Sequence, residues 1–68
     1  MNEIGSPVRI LRLPEVKNRT GLSRSTIYQR SAAGDFPPRI HLGPRAVGWL
    51  ESDVTRWLSE QIERSRRT

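Results

Sequence analysis

Thr20-Gly21-Leu22-Ser23-Arg24-Ser25-Thr26-Ile27-Tyr28 decides the reading of this chain, because it has the chemistry of a tight turn between two helices. Gly21 is able to take the positive φ that ends a helix, and Leu22 beside it supplies an apolar contact that locks the turn. Ser23 is a good N-cap, and no helix breaker follows before Gly34, so a second helix is predicted from Ser23 to Ala33. With Ile27 as its inward centre, Ser23, Ser31 and Gly34 fall on the same side, while Ser25, Gln29 and Ala32 point away. Thr26 and Tyr28 flank that outward ridge. The solvent face therefore carries hydroxyls, an amide and a phenol rather than an apolar stripe, the type of surface that hydrogen-bonds base edges and phosphate oxygens. Arg24, at the helix start, is placed to reach a phosphate.

Upstream, Val8 to Leu13 alternates apolar and basic residues and reads as a short extended segment, followed by Pro14 at the first position of a helix ending at Thr20. Such a helix is only about two turns long and must be held by Leu13 and Val16 packing on its neighbour. Downstream, Phe36-Pro37-Pro38 forces an extended path. The runs Arg39-Ile40-His41-Leu42 and Ala46-Val47-Gly48-Trp49-Leu50 then alternate at period two around Gly43-Pro44-Arg45, a β-hairpin signal. Ile40 and Leu42 are expected on one face, Val47 and Trp49 on the matching one, and Arg45 at an exposed basic tip. Such a hairpin beside a helix-turn-helix is a wing, with Arg39 and His41 projecting from it. Arg45 and Arg39 are candidate DNA contacts. The last element, from Ser52 to about Arg64, spaces Val54, Trp57, Leu58 and Ile62 helically and closes the core, so Trp49 and Trp57 are read as structural.

Length and charge narrow the function. The chain has 68 residues, enough for one small domain over residues 7–65, with residues 1–6 and 66–68 expected as flexible termini. A buried catalytic cleft does not fit in so small a core, so no catalytic residue is expected and an enzyme is not. With no Cys and only His41 as histidine, neither a metal site nor any other cofactor is predicted. The formal net charge is +5, and residues 51–68 carry equal numbers of acids and bases, so the whole excess lies in residues 1–50. A basic turn region attracts polyanions. The absence of a long apolar run and of a signal-peptide pattern leads to an expectation of a cytoplasmic protein with no membrane association.

The strips Ile10-Leu11-Arg12-Leu13-Pro14-Glu15-Val16, Thr20 to Tyr28, Gly34-Asp35-Phe36-Pro37, Leu42 to Trp49 and Trp57-Leu58 together resemble the AlpA family over residues 8–58. The resemblance implies an α+β, MerR-like winged helix-turn-helix whose members regulate prophage transcription or act as excisionases. Phage excisionases outside that family are similar through the Thr26-centred helix and the Phe36-Pro37-Pro38 stretch, and in them the positions matching Ser25 and Gln29 face base edges. The chain departs from their pattern at Arg30 and Ser31, where an aromatic or aliphatic pair usually packs on the core. Either that packing is looser here or the Arg30 stem covers the gap while its head pairs with Asp53 or Glu51.

The expected function is sequence-specific binding of double-stranded DNA, with Arg24, Ser25, Thr26, Tyr28, Gln29, Arg39 and Arg45 as the binding residues. An integrase or RNA polymerase is the further partner implied by the resemblance. The competing reading is an adaptor or anti-regulator that binds a recombinase or polymerase. With the apolar face of its last helix consumed by the core, the chain is expected to be a monomer in solution that binds neighbouring sites cooperatively.

Overall fold

The computed structural model describes residues 8–67; the expected domain start at Pro7, the expected flexible lead at residues 1–6 and the last residue of the expected flexible tail 66–68 lie outside the described residues, while residues 66 and 67 of that tail belong to the last helix. The chain forms β1 (Ile10–Leu11), α1 (Leu13–Thr20), α2 (Arg24–Ala33), β2 (Ile40–Gly43), β3 (Ala46–Leu50) and α3 (Glu51–Arg67). The strands make one antiparallel sheet in the order β1-β3-β2. This is a small α+β winged helix-turn-helix, as the sequence predicts.

The two helix ends around the turn follow from glycine chemistry. Gly21 sits at φ 74° and its N–H donates to the Lys17 carbonyl at 2.8 Å, a single left-handed closure of α1. Leu22 then packs half-buried against the core, as expected. At the far end of α2, Gly34 takes φ 86°; its N–H reaches Ser31 O while the Asp35 N–H reaches Arg30 O at 2.9 Å, the paired bonds of a Schellman motif. Ser23 caps α2 by accepting from the Thr26 N–H at 3.2 Å.

α1 begins one residue earlier than the expected Pro14. Arg12 is its extended N-cap, and the Glu15 carboxylate reaches back to the Arg12 N–H at 3.4 Å. Pro14 is then the second helical residue, where its missing N–H costs no helical bond.

Six side chains make the centre of the core: Leu11, Val16, Ile27, Phe36, Trp49 and Val54. Trp49 is the largest of those fully enclosed. Its indole N–H donates to Ser31 Oγ at 3.2 Å, and Ser31 Oγ donates onward to the Pro37 carbonyl at 3.0 Å. Ser31 is thus a polar anchor in place of an apolar packing residue. The Arg30 head does not pair with Asp53 or Glu51: Asp53 bonds Arg56 at 2.7 Å, and Glu51 bonds Arg19 at 2.8 Å and faces Arg9 at 3.8 Å.

The hairpin corrects the expected faces. Ile40 pairs with Gly48 and His41 with Val47, and the register shifts between His41 and Gly43. Residues directly opposite share a face, so Val47 and Trp49 lie on the side of His41, away from Ile40 and Leu42. The reason is Gly48. A Cβ there would overlap Ile10 Cγ2 and lie 3.0 Å from the Leu11 carbonyl, so this bare position on the outer face is filled by Ile10, with Leu42 next to it. The inner face holds Trp49 and its β1 partner Leu11.

α3 also differs from expectation at both ends. It starts at Glu51, directly after Leu50, because the Glu51 N–H donates to Arg9 O at 2.9 Å and needs no capping side chain. It continues to Arg67, past the expected end at Arg64. Val54 is buried and Trp57 and Leu58 pack on the core, but Ile62, expected in that stripe, is 51% exposed. Trp57 meets Phe36 edge to face with ring centroids 4.8 Å apart, and its indole N–H donates to the Asp35 carbonyl at 2.8 Å.

Ser31→Ala leaves the Trp49 N–H without its acceptor and is expected to cost about 1–3 kcal/mol, read as a lowered midpoint in chemical denaturation. Gly21→Ala forces a Cβ into the left-handed region at a cost of about 1–2 kcal/mol, whereas Gly43→Ala, whose added methyl meets nothing within 4 Å, leaves the melting temperature near its starting value.

Candidate nucleic-acid interface

The outward ridge of α2 is open. Ser25 and Gln29 are exposed one turn apart, and Ala32 follows them on the same face. Gln29 has no hydrogen-bond partner among the described residues, so its amide is free to donate and accept in one plane. The first turn is pre-ordered by hydroxyls: Ser23 Oγ donates to Thr26 Oγ1 at 2.9 Å, and Ser25 Oγ lies 3.4 Å from Ser23 Oγ. Thr26 is half-buried and keeps its own hydroxyl proton available.

Tyr28 sits differently from a freely projecting phenol. It is half-buried, with its ring edge-on to Trp49 at 5.8 Å between centroids. The Arg24 guanidinium lies over that ring at 5.4 Å and the Arg39 guanidinium at 5.2 Å. Arg24 belongs to the first turn of α2, whereas Arg39 stands at the entrance to β2. The structure therefore gathers Arg24, Tyr28 and Arg39 from the expected set into one cluster, next to Ser25, Thr26 and Gln29. Arg45 stands apart, exposed in the two-residue turn Pro44-Arg45 between β2 and β3. His41 is exposed on β2.

Charge is sorted across the fold. Between Glu15 and Glu51 the sequence holds a single acid, Asp35, against Lys17, Arg19, Arg24, Arg30, Arg39 and Arg45. The ion pairs among the described residues lie elsewhere: Arg9 with Glu15 and Glu51, Arg19 with Glu51, Arg56 with Asp53, and Arg67 with Glu63. Arg24, Arg39 and Arg45 have no acidic partner among the described residues. The positive end of the α2 dipole adds to their field.

Two contributors escape the sequence reading. Ser31 fixes the roll of α2 through Trp49, and only its small polar character at an inward position signals this. Arg12 donates from Nε to the Val47 carbonyl at 3.0 Å, tying the entrance of α1 to the hairpin across 35 residues, and nothing local in the sequence marks that contact.

The family model described as Prophage CP4-57 regulatory protein (AlpA) matches residues 9–62. The chain is 49% identical over 59 residues to a protein of Enterobacteria phage P4 described as uncharacterized protein ORF88, covering 87% of this chain and 67% of that one. It is 45% identical over 64 residues to the DNA-binding transcriptional activator AlpA of Escherichia coli strain K12, covering 85% of this chain and 91% of that one. With the match running from β1 into the last turns of α3, and so through the turn, α2 and the hairpin, this chain belongs to the AlpA family of prophage regulatory proteins.

Proposed function

We propose that the chain binds duplex DNA in a sequence-specific manner and acts as a regulator of a prophage or integrated element, with α2 in the major groove and the hairpin tip on the adjacent minor groove or backbone. The observation that carries this reading is the pairing of an unencumbered polar ridge, Ser25 and Gln29, with flanking cations that no acid neutralises. Arg24 and Thr26 serve the phosphates beside the ridge, Arg39 the backbone next to the wing, and Arg45 the groove beyond it. The E. coli relative described as a DNA-binding transcriptional activator supports the regulatory role. No helix among the described residues is long and apolar enough to cross a membrane.

The finer role is that of an activator of transcription or an excisionase acting beside an integrase, and footprinting on the DNA flanking the chain's own gene and any nearby integrase gene separates the two. One such module buries roughly 600–1,000 Å² on DNA, so specificity is served by monomers binding neighbouring repeats cooperatively. An adaptor that grips a recombinase or polymerase is the competing reading, favoured by Leu42, 46% exposed on the wing, and by Ile62 on α3. The two part on salt: phosphate contacts release counterions and give a steep loss of affinity with ionic strength, which a protein interface need not.

Gln29→Ala is expected to cost about 1–3 kcal/mol on the specific site and little on random duplex, whereas Arg24→Ala weakens both and flattens the salt slope by about one contact. Equal losses on the two duplexes for Gln29→Ala would remove it from base readout. Arg45→Ala is expected to lower affinity without moving the melting temperature, since the side chain touches nothing that folding buries. An unchanged dissociation constant at low salt would take the wing tip out of the interface.

A further inference from the structure

We infer that Tyr28 works through its ring rather than its hydroxyl: it is a platform that holds Arg24 and Arg39 together, so that the helix and the root of the wing present one rigid two-arginine site to the sugar–phosphate backbone. The inference rests on the DNA-binding reading above and names a positioning residue within that site.

Two guanidinium groups lie over one phenol ring, at 5.4 and 5.2 Å from its centroid, and neither has an acidic partner among the described residues. Exposed arginines ordinarily spread into water and keep their rotamer freedom. The ring's π-system attracts each guanidinium and restrains both side chains. Tyr28 is itself immobilised, since its ring is edge-on to Trp49, which is fully buried and bonded to Ser31. Rigidity passes from the core to the ring and from the ring to the two cations. An arginine pair ordered before contact loses less entropy on meeting phosphate, and no acid among the described residues competes for either head. Arg24 and Arg39 are also 15 positions apart in sequence and belong to different elements, so a shared platform fixes the spacing between helix and wing along the duplex.

The test has a free-protein arm and a DNA arm. In the free protein, the side-chain Nε–H and methylene protons of Arg24 and Arg39 are expected to be shielded by the ring, a shift kept in Tyr28→Phe and lost in Tyr28→Leu. In duplex titrations, Tyr28→Phe is expected to bind like the parent and Tyr28→Leu roughly five- to tenfold more weakly. That loss shrinks when Arg24→Ala or Arg39→Ala is already present. Should Tyr28→Leu fail to fold, the Arg24→Ala, Arg39→Ala double-mutant cycle reads the same coupling: the double variant loses less than the product of the single losses. Equal damage from Tyr28→Phe and Tyr28→Leu, strictly multiplicative losses, or unshielded arginine protons would each overturn the proposal. Shielded protons in a parent chain that shows no affinity for duplex would instead overturn the DNA-binding reading, and the platform's use with it.

Discussion

Trp49 stands where the sheet, the second helix and the proline loop meet, and what the surface presents depends on how its indole is held. Trp49 pairs across the sheet with Leu11, its ring system meets Tyr28 in a T-shaped contact, and its N–H ends on Ser31, which in turn holds the Pro37 carbonyl. A single side chain thus sets the roll of α2 and the path by which the chain enters the hairpin. With six buried apolar side chains at the centre of the core among the described residues, such concentration is a consequence of size: a core this small leaves little over which the task might be divided. The polar link is also directional, where apolar packing alone would let α2 slide.

The distribution of charge follows the same economy. Acids are gathered at the β1, α1 and α3 side, where Glu51 takes Arg19 and approaches Arg9, and where Asp53 takes Arg56. These pairs are solvent-exposed and add little to stability. Their larger effect is to leave the cations of α2 and the hairpin uncompensated, so the molecule has a polarity as well as a net charge.

Much of this was legible in the sequence. Gly21, Leu22 and Ser23 announce the turn because each has a local chemical role that no distant residue overrides, and Val16, Ile27, Trp49 and Val54 declare the core through periodicity. The faces of the hairpin were not legible. Alternation fixes which residues of one strand share a side, but register between strands depends on the shift near Leu42 and on the space over Gly48 that Ile10 fills. The start of α3 escaped because a main-chain bond from Glu51 to Arg9, 42 positions earlier, does what a capping side chain would do locally. Ile62 has the spacing of a core residue but lies where α3 has outrun the body it packs on. At the interface, the outward ridge of α2 could be drawn from a helical wheel, whereas the meeting of Arg39 with Tyr28 is a product of tertiary structure.

The junction of β3 and α3 has no joint. Leu50 ends the strand, Glu51 opens the helix, and the side chains that lock the helix to the core begin at Val54. A residue gained or lost between strand and helix would therefore rotate α3 by about 100° about its axis, carrying Val54 out of its socket and bringing Asp53 or Thr55 toward it. Length at this point is as tightly constrained as identity is in the core. By contrast, the two-residue Pro44-Arg45 turn is joined only to strand ends, so changes of length are tolerated there and reshape the reach of the wing without disturbing the body.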